Sequence, residues 1–287
     1  MNIKWLKTFI VTAQHENFRK ASEILFLTQP AVSKHIQRLE DYLQCSLFSR
    51  KGKQVLLNAE GHRFLPIAQK ILKEYEIGLH HFEAWQCGYT KQLSIAVAPQ
   101  IASSILPAIL KDFMIKEPKI EILIDVVNSY EVVQKILEGK ADIGLTRTYP
   151  AQSNLKSEIV LEEPVVLVAP YDTQIEHEKN LFEQYRLITH NHPVYWDDLL
   201  IEIMRIYPMI KTLKVNQIEV SKKFIEQGLG VSYLPYSMVE REIAEHLLKV
   251  ISPAEIENPI SHTYLVTKIS TSEMEIFINF FKDALKK

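Results

Sequence analysis

Apolar spacing near the N-terminus constrains the fold of this chain more than any other feature of its sequence. Three short segments carry apolar residues three or four positions apart: Leu6, Phe9, Ile10 and Ala13, then Phe18, Ala21 and Leu25, then Val32, Ile36, Leu39 and Leu43. This spacing places each set on one face of a helix. Thr28 is predicted to cap the third helix with its hydroxyl, and Pro30 is tolerated in a first turn whose N–H has no partner. Three short helices with a tight polar turn before the third predict a helix–turn–helix.

The third predicted helix has a polar face that matches the chemistry of double-stranded DNA. Gln29, Ser33 and Gln37 share this face, and Lys34 and Arg38 flank it. Amides and hydroxyls bind base edges in the major groove, whereas cations bind phosphates. The solvated face of an ordinary amphipathic helix is the alternative, but the three helices and the turn together favour DNA binding.

A basic hairpin is predicted after the third helix. Leu47–Arg50 and Gln54–Leu57 are predicted as strands around Lys51-Gly52-Lys53, which would form a wing. The first 57 residues hold nine Lys or Arg and four Asp or Glu, whereas the whole chain has a net charge of −2. Attraction for phosphates is therefore concentrated at this end of the chain. The predicted DNA contacts are Phe18, Thr28, Gln29, Pro30, Ser33, Lys34, Gln37, Arg38, Arg50, Lys51 and Lys53.

The same segment resembles the N-terminal domain of the LysR-type transcriptional regulators. The positions that match the pattern of that family are Phe18, Ala21, Leu25, Gln29, Pro30, Ala31, Val32, Ser33, Ile36, Leu39, Glu40, Leu43, Leu47, Phe48 and Arg50. The chain departs from the pattern at Asn17, Ser22, Thr28 and Cys45, and only Cys45, where the family usually has glycine, is an unusual departure. The resemblance implies a sequence-specific DNA-binding regulator whose activity a small molecule modulates.

A long helix is predicted after the hairpin. Asn58 is a suitable N-cap, and the segment runs to about Gln86 with Pro66 in its early turns. A heptad seam follows this segment through Leu65, Ala68, Leu72, Tyr75, Leu79 and Phe82. Packing of the helix on its own chain is the alternative, but a seam of this length favours self-pairing and hence a homodimer. The family resemblance implies the same linker dimer, commonly assembled into homotetramers.

The rest of the chain alternates strand-like and helical segments. Strands are predicted at Leu93–Ala98, Ile120–Val126, Asp142–Thr146, Pro164–Ala169, Tyr185–Thr189, Thr212–Val215, Gly230–Leu234 and His262–Thr267, with helices between them that include Ile218–Glu226 and Ser272–Leu285. This alternation predicts an α/β fold with parallel sheets in two lobes. The expected domains are a winged helix–turn–helix (1–57), a linker helix (58–87), lobe I (91–162 and 266–287) and lobe II (163–265). The resemblance implies that the two lobes form a periplasmic-binding-protein-like effector domain.

A ligand cleft is predicted between the lobes, because ligands of such sheets bind outside the carboxyl ends of the strands. The candidate effector-binding residues are Gln100, Ser103, Asn128, Thr146, Arg147, His190, His192 and Asn216. Many family members hold the effector with a serine and a threonine after the first strand, where this chain has Ala98 and Gln100. Arg147, Lys214 and the two histidines support a small carboxylate effector, such as a di- or tricarboxylate. A structural ion pair is the alternative role for Arg147.

Two other functions are considered for the two-lobed region. His190 and His192 with Asp197 and Asp198 could ligate a metal ion, which would make the chain a metal-responsive regulator. An enzyme is the other alternative, but the chain has no nucleophile-elbow, zinc-protease, Walker or dinucleotide motif, so no cofactor is expected. The segment Thr189–Leu200 resembles a Gram-positive branch of the LysR-type family that regulates citrate synthase, which supports a regulator.

Length and composition bound the class of protein. A chain of 287 residues accommodates two or three domains. Cys45 and Cys87 match neither a disulfide framework nor the spacing of metal ligands. Lys4 and Lys7 interrupt the N-terminal apolar run, and no run approaches the ~20 apolar residues of a membrane span. These features predict a soluble cytoplasmic protein with no membrane partner.

Overall fold

The computed structural model of the chain describes residues 1–51, 54–189 and 195–286. The chain divides into two compact units, Met1–Gly88 and Tyr89–Lys287. Each unit has hydrophobic core residues of its own. Within the described ranges, no helix has both the length and the apolar character needed to cross a membrane.

The described part of the first unit is a set of helices followed by a hairpin and a long helix. Its elements are α1 (Ile3–His15), α2 (Phe18–Leu25), α3 (Gln29–Leu43), β1 (Phe48–Lys51), β2 (Gln54–Leu57) and α4 (Ala59–Gln86). The two strands pair antiparallel, with Phe48 opposite Leu57. The predicted helix–turn–helix, the hairpin and the long helix are therefore all present.

Asparagine side chains cap the start of three of these helices, and at α1 the Asn2 carboxamide accepts from the Lys4 N–H at 2.9 Å. The Asn17 carboxamide accepts from two backbone N–H groups of α2, at 2.8 and 3.1 Å, and the Asn58 carboxamide accepts from one N–H of α4 at 2.8 Å. Thr28 lies at the corresponding position before α3, but its side chain makes no capping hydrogen bond. The prediction that Thr28 caps α3 is therefore wrong. Pro30 lacks one of the two first-turn N–H groups that such a hydroxyl could accept from.

The core of the first unit joins all its helices to the hairpin. Its buried residues are Leu6, Phe9, Ile10, Ile36, Leu39, Leu47 and Ala68. Gly61 shows how closely α4 packs on the segment before the hairpin, because a Cβ atom added there would lie 2.1 Å from the Leu47 carbonyl oxygen. The first half of α4 is therefore part of this domain, not a free extension.

Lobe I forms one part of the second unit. It contains β3 (Lys91–Val97), α5 (Pro99–Ser103), α6 (Leu106–Lys116), β4 (Ile120–Val126), α7 (Ser129–Leu137), β5 (Ile143–Thr146), the first part of β6 (Lys156–Pro170), β11 (Ile260–Thr267) and α12 (Ser272–Leu285). Helices α6 and α12 bury Phe113, Phe277 and Phe281 against the aliphatic side chains of the sheet. This packing is the main core of the lobe.

Lobe II forms the other part of the second unit. It contains the end of β6, α8 (Glu178–Gln184), β7 (Leu187–Thr189), α9 (Tyr195–Ile206), β8 (Thr212–Lys214), α10 (Ile218–Glu226), β9 (Ser232–Pro235), α11 (Tyr236–Ala244) and β10 (Leu248–Ile251). One of its two core clusters contains Trp196 and Tyr233, and the other contains Ile188, Ile225 and Leu234. Each lobe therefore has core clusters of its own.

Strand direction differs from the expected parallel sheets. β3 is parallel to β4 and β5, and β7 is parallel to β8. β11 is antiparallel to β5 and β6, and β6 is antiparallel to β9 and β10. The parallel prediction is wrong for these pairs. For β6 and β11 the reason is that β6 carries the chain from lobe I to lobe II and β11 carries it back. Two neighbouring strands that run in opposite directions between the lobes pair antiparallel.

Candidate functional site

Helix α3 separates an apolar face from a polar one. Val32, Ile36 and Leu39 are buried within the first unit. The predicted contact residues of this helix and its turn are exposed, except that Ser33 is half-buried: Thr28, Gln29, Pro30, Ser33, Lys34, Gln37 and Arg38. Because the buried stripe orients the helix, the amides, the hydroxyl and the cations are presented together on the surface.

The predicted DNA contacts outside α3 and its turn are not described as exposed side chains. Phe18 is half-buried, and its ring meets the Phe48 ring edge to face at 6.1 Å as part of the core. This side chain joins α2 to the hairpin, and a contact between its exposed part and DNA stays a prediction. Arg50 and Lys51 lie in β1, where only their backbone is described, and Lys53 lies outside the described residues.

Helix α3 also contacts α1 through Arg38 and His35. The sequence pattern did not indicate the partners of these two residues. The guanidinium carbon of Arg38 lies 6.0 Å from the centre of the Trp5 ring, a cation–π contact. The Nδ1 atom of His35 lies 2.9 Å from the Thr8 hydroxyl oxygen. Burial lowers the pKa of His35, and the charges of Arg38 and Lys4 lower that pKa further.

The heptad seam of α4 falls into two parts. Ala68 is fully buried, and Leu65 and Leu72 pack on the core of their own domain. The prediction that Ala68 contacts a partner helix is therefore wrong, because its side chain is already covered. The second part of the seam is exposed: Tyr75 by 46%, Leu79 by 45% and Phe82 by 54%. The apolar surface available for pairing begins about halfway along the helix.

A cleft of about 640 Å³ opens in the second unit. It is lined by Ala98, Pro99, Gln100, Ser103, Asn128, Ser129, Tyr130, Arg147, Thr148, Asp197, Asn216, Gln217, Ile218 and Glu219. Both lobes contribute, because the first nine residues belong to lobe I and the others to lobe II. Among the predicted effector-binding residues, Gln100, Ser103, Asn128, Arg147 and Asn216 line this cleft. Most of the other lining residues, such as Ser129 and Glu219, are neighbours of these in sequence and follow the same strand ends.

Among the described residues, one predicted effector-binding residue does not line the cleft. Thr146 is fully buried, and its hydroxyl donates to the Ser129 carbonyl at 3.3 Å and accepts from the Thr148 N–H at 3.1 Å. The prediction that Thr146 binds the effector is corrected, because its hydroxyl closes the turn after β5. His190 and His192 lie outside the described residues.

Arg147 lies at the wall of the cleft in a buried hydrogen-bond network. Its Nη1 atom donates to Glu163 Oε1 at 2.7 Å and to the Ser261 hydroxyl at 3.3 Å. Glu163 also accepts from the Ser237 N–H at 2.6 Å and from the Ser237 hydroxyl at 2.9 Å. The structural ion pair weighed for Arg147 is therefore present, and its charge is balanced inside the protein. Lys214, the other expected cation, is exposed on β8 and does not line the cleft.

Lobe II contributes two carboxylates to the cleft. Glu219 Oε2 lies 2.9 Å from Lys222 Nζ, and Lys222 in turn lies 2.9 Å from Glu242 Oε1. Asp197 lies in the first turn of α9, and its carboxylate forms no ion pair with any described residue. From the sequence, the only role predicted for Asp197 was that of a possible metal ligand.

The metal-binding alternative receives no support from the described side chains. Within residues 1–51, 54–189 and 195–286, no three His, Cys, Asp or Glu residues are grouped so that they could hold a metal ion. The two histidines on which the hypothesis depends lie outside these ranges.

Comparisons with known proteins give the same family for both units. Residues 3–62 match the bacterial regulatory helix–turn–helix model of the LysR family, and residues 88–286 match the LysR substrate-binding domain. The HTH-type transcriptional regulator CitR of Bacillus subtilis is 39% identical over 285 residues, 98% of each chain.

Solved structures share the fold. The crystal structure of full-length CbnR with its target DNA aligns with a TM-score of 0.66 at 19% identity, covering 100% of this chain and 99% of that one. The DNA complex of Vibrio fischeri DarR aligns with a TM-score of 0.64 at 20% identity, covering 99% of each chain. The winged helix–turn–helix, the two-lobed domain and both family matches show that this chain belongs to the LysR family of transcriptional regulators, which bind DNA and respond to small-molecule effectors.

Proposed function

We propose that this regulator acts in the cytoplasm on operator DNA that it reads with the exposed face of α3. Gln29, Pro30 and Ser33 would lie in the major groove, where the Gln29 amide and the Ser33 hydroxyl can pair with base edges and the apolar Pro30 ring can contact a thymine methyl group. Lys34 and Arg38 would contact phosphates, and the basic hairpin would reach the DNA backbone or the minor groove. The observation that carries this proposal is the exposure of Gln29, Pro30, Lys34 and Arg38 on α3, with Ser33 half-buried, while the apolar stripe of the same helix is buried.

We further propose that the cleft between the lobes binds a small carboxylate. Asn128–Tyr130 and Gln217–Glu219 line the cleft at the N-termini of α7 and α10, and helix N-termini attract anions. Gln100 and Asn216 add amide groups to the same wall. Because Arg147 is already paired with Glu163, the helix ends would supply most of the attraction for the anion.

The exposed half of α4 is proposed to pair two copies of the chain. Tyr75, Leu79 and Phe82 form a heptad-spaced apolar surface, and two such surfaces bury each other in a coiled coil. A dimer would present two copies of α3 to half-sites of one operator. An effector would then change DNA binding only if its affinity differs between two arrangements of the dimer or tetramer.

Genome-wide footprinting of the full-length protein tests this function, with and without a panel of small carboxylates. The panel includes citrate, because Thr189–Leu200 resembles the branch of the family that regulates citrate synthase. We expect discrete protected sites whose pattern changes with at least one carboxylate. A pattern that no carboxylate changes would refute the proposed effector class, and the absence of discrete sites would refute operator recognition by α3.

A further inference from the structure

One carboxylate in the cleft has no counterion in the described structure. Glu219 is paired with Lys222 at 2.9 Å, and Arg147 is paired with Glu163 at 2.7 Å. Asp197 also lines the cleft, is exposed, and forms no ion pair with the residues that the structure describes. It therefore places a negative charge beside a site proposed to bind an anion.

Stabilisation of α9 does not account for the position of Asp197. An acidic residue in the first turn of a helix interacts favourably with the helix dipole. Asp198 lies in the same first turn, is also exposed, and does not line the cleft. Asp198 can supply the favourable charge without approaching a ligand, whereas Asp197 adds a charge that repels one.

An effector that carries its own hydrogen-bond donor offsets the repulsion between the Asp197 carboxylate and an anionic ligand. A carboxylate oxygen accepts strongly from a hydroxyl and more strongly from an ammonium group. A ligand with a donor near its carboxylate can place the anionic group at the N-termini of α7 and α10. Its donor can then bind Asp197, and both ends of the ligand are satisfied within one cleft.

We propose that the effector is a small carboxylate that also carries a hydroxyl or ammonium donor, and that Asp197 accepts from this donor. The inference rests on the proposed effector cleft. Asp197 is then the residue that determines specificity, because it rejects simple carboxylates that cannot donate. A charge-assisted hydrogen bond of ordinary strength corresponds to a preference of about tenfold or more.

Matched pairs of acids test the inference by calorimetric titration of the full-length protein. Citrate is compared with tricarballylate, and malate and aspartate are compared with succinate, so that each pair differs only at the donor group. We expect at least one donor-bearing acid to bind about tenfold tighter than its parent. Asp197→Asn should reduce this ratio to about threefold or less, whereas the matched control Asp198→Asn should leave it unchanged.

The outcomes separate this inference from the proposed function. If every simple acid that binds does so as tightly as its donor-bearing partner, the role of Asp197 is overturned, and the carboxylate cleft stands. An equal loss of preference in Asp198→Asn would also overturn that role, because it would indicate a general effect of charge at α9. If none of the acids binds, both the inference and the proposed carboxylate effector fail, while footprinting still tests DNA recognition.

Discussion

Arg147 and Glu163 form a buried ion pair where the two lobes meet. Arg147 Nη1 lies 2.7 Å from Glu163 Oε1, and the two side chains are 1% and 7% exposed. Arg147 follows β5 of lobe I, Glu163 lies in the strand β6 that joins the lobes, and Ser237 of lobe II donates to the same carboxylate. The pair therefore links lobe I, the connecting strand and lobe II beside the cleft.

Removing Glu163 should strongly destabilise the second unit. Glu163→Ala leaves the Arg147 charge buried without a counterion, so we expect a loss of about 3–5 kcal/mol in the free energy of unfolding. Urea denaturation followed by circular dichroism measures this loss. Glu158→Ala is the control, because Glu158 pairs with Lys282 at 2.6 Å but both side chains are partly exposed. The control should lose less than about 1 kcal/mol, and equal losses in the two variants would contradict the prediction.

Substitutions on α3 should distinguish the residues that recognise bases from those that bind phosphates. Ser33→Ala should change the preference among operator variants, because it removes a hydroxyl proposed to contact a base edge. Lys34→Ala should weaken binding to all sequences alike and reduce the slope of log affinity against log salt concentration by about one. Fluorescence anisotropy with an operator series at several salt concentrations measures both effects. Identical profiles for the two variants across the series would refute this division of roles.

A charge in the exposed part of the α4 seam should prevent self-pairing. Leu79→Glu places a carboxylate in the proposed coiled-coil surface, so we expect the oligomer to dissociate at micromolar concentration. Ile67→Glu is the matched control on the same helix, because Ile67 is 52% exposed and lies outside the seam. Sedimentation velocity compares the two variants. Retention of the wild-type mass by Leu79→Glu would exclude this surface as the dimer contact.

Local patterns predicted the helices more accurately than the pairing of the strands. The predicted helices Ile218–Glu226 and Ser272–Leu285 coincide with α10 and α12, because each buries one face and the spacing of that face is a local property. The direction of β6 depends on its route between the lobes, which the apolar residues of the strand do not encode. The parallel prediction failed for that reason.

Cleft residues could be predicted from the sequence where they lie at strand ends. The contact partners of individual side chains could not be predicted. The strand-end rule identified Gln100, Asn128 and Asn216 because it uses only the order of elements. It could not identify Glu163 as the partner of Arg147, since sixteen residues and a change of strand separate them. The heptad pattern also could not show that Ala68 faces its own domain, because the same spacing serves internal and intermolecular packing.

Acid should weaken the first unit through His35. The pKa of His35 is lowered from its ordinary value of 6.5, first by burial and then by Arg38 and Lys4, so the folded state favours the neutral ring. The unfolded chain therefore binds the proton at a higher pH than the folded chain does. This stabilising contribution is fully present above pH 6.5 and is lost as the pH falls from 6.5 through the lower folded pKa. Thermal unfolding of the wild type should show this loss.

His35→Gln separates this effect from other titrations. Glutamine retains a polar group to face the Thr8 hydroxyl but does not titrate, so the variant should show a flatter dependence of melting temperature on pH just below 6.5. Glu242 and Glu273 also have lowered pKa values, but their ordinary value is 4.5, so they act at lower pH and affect both proteins equally. Parallel slopes for the wild type and the variant just below pH 6.5 would show that His35 does not contribute. A difference confined to that window would assign the acid sensitivity to the contact between α3 and α1, on the helix proposed to bind DNA.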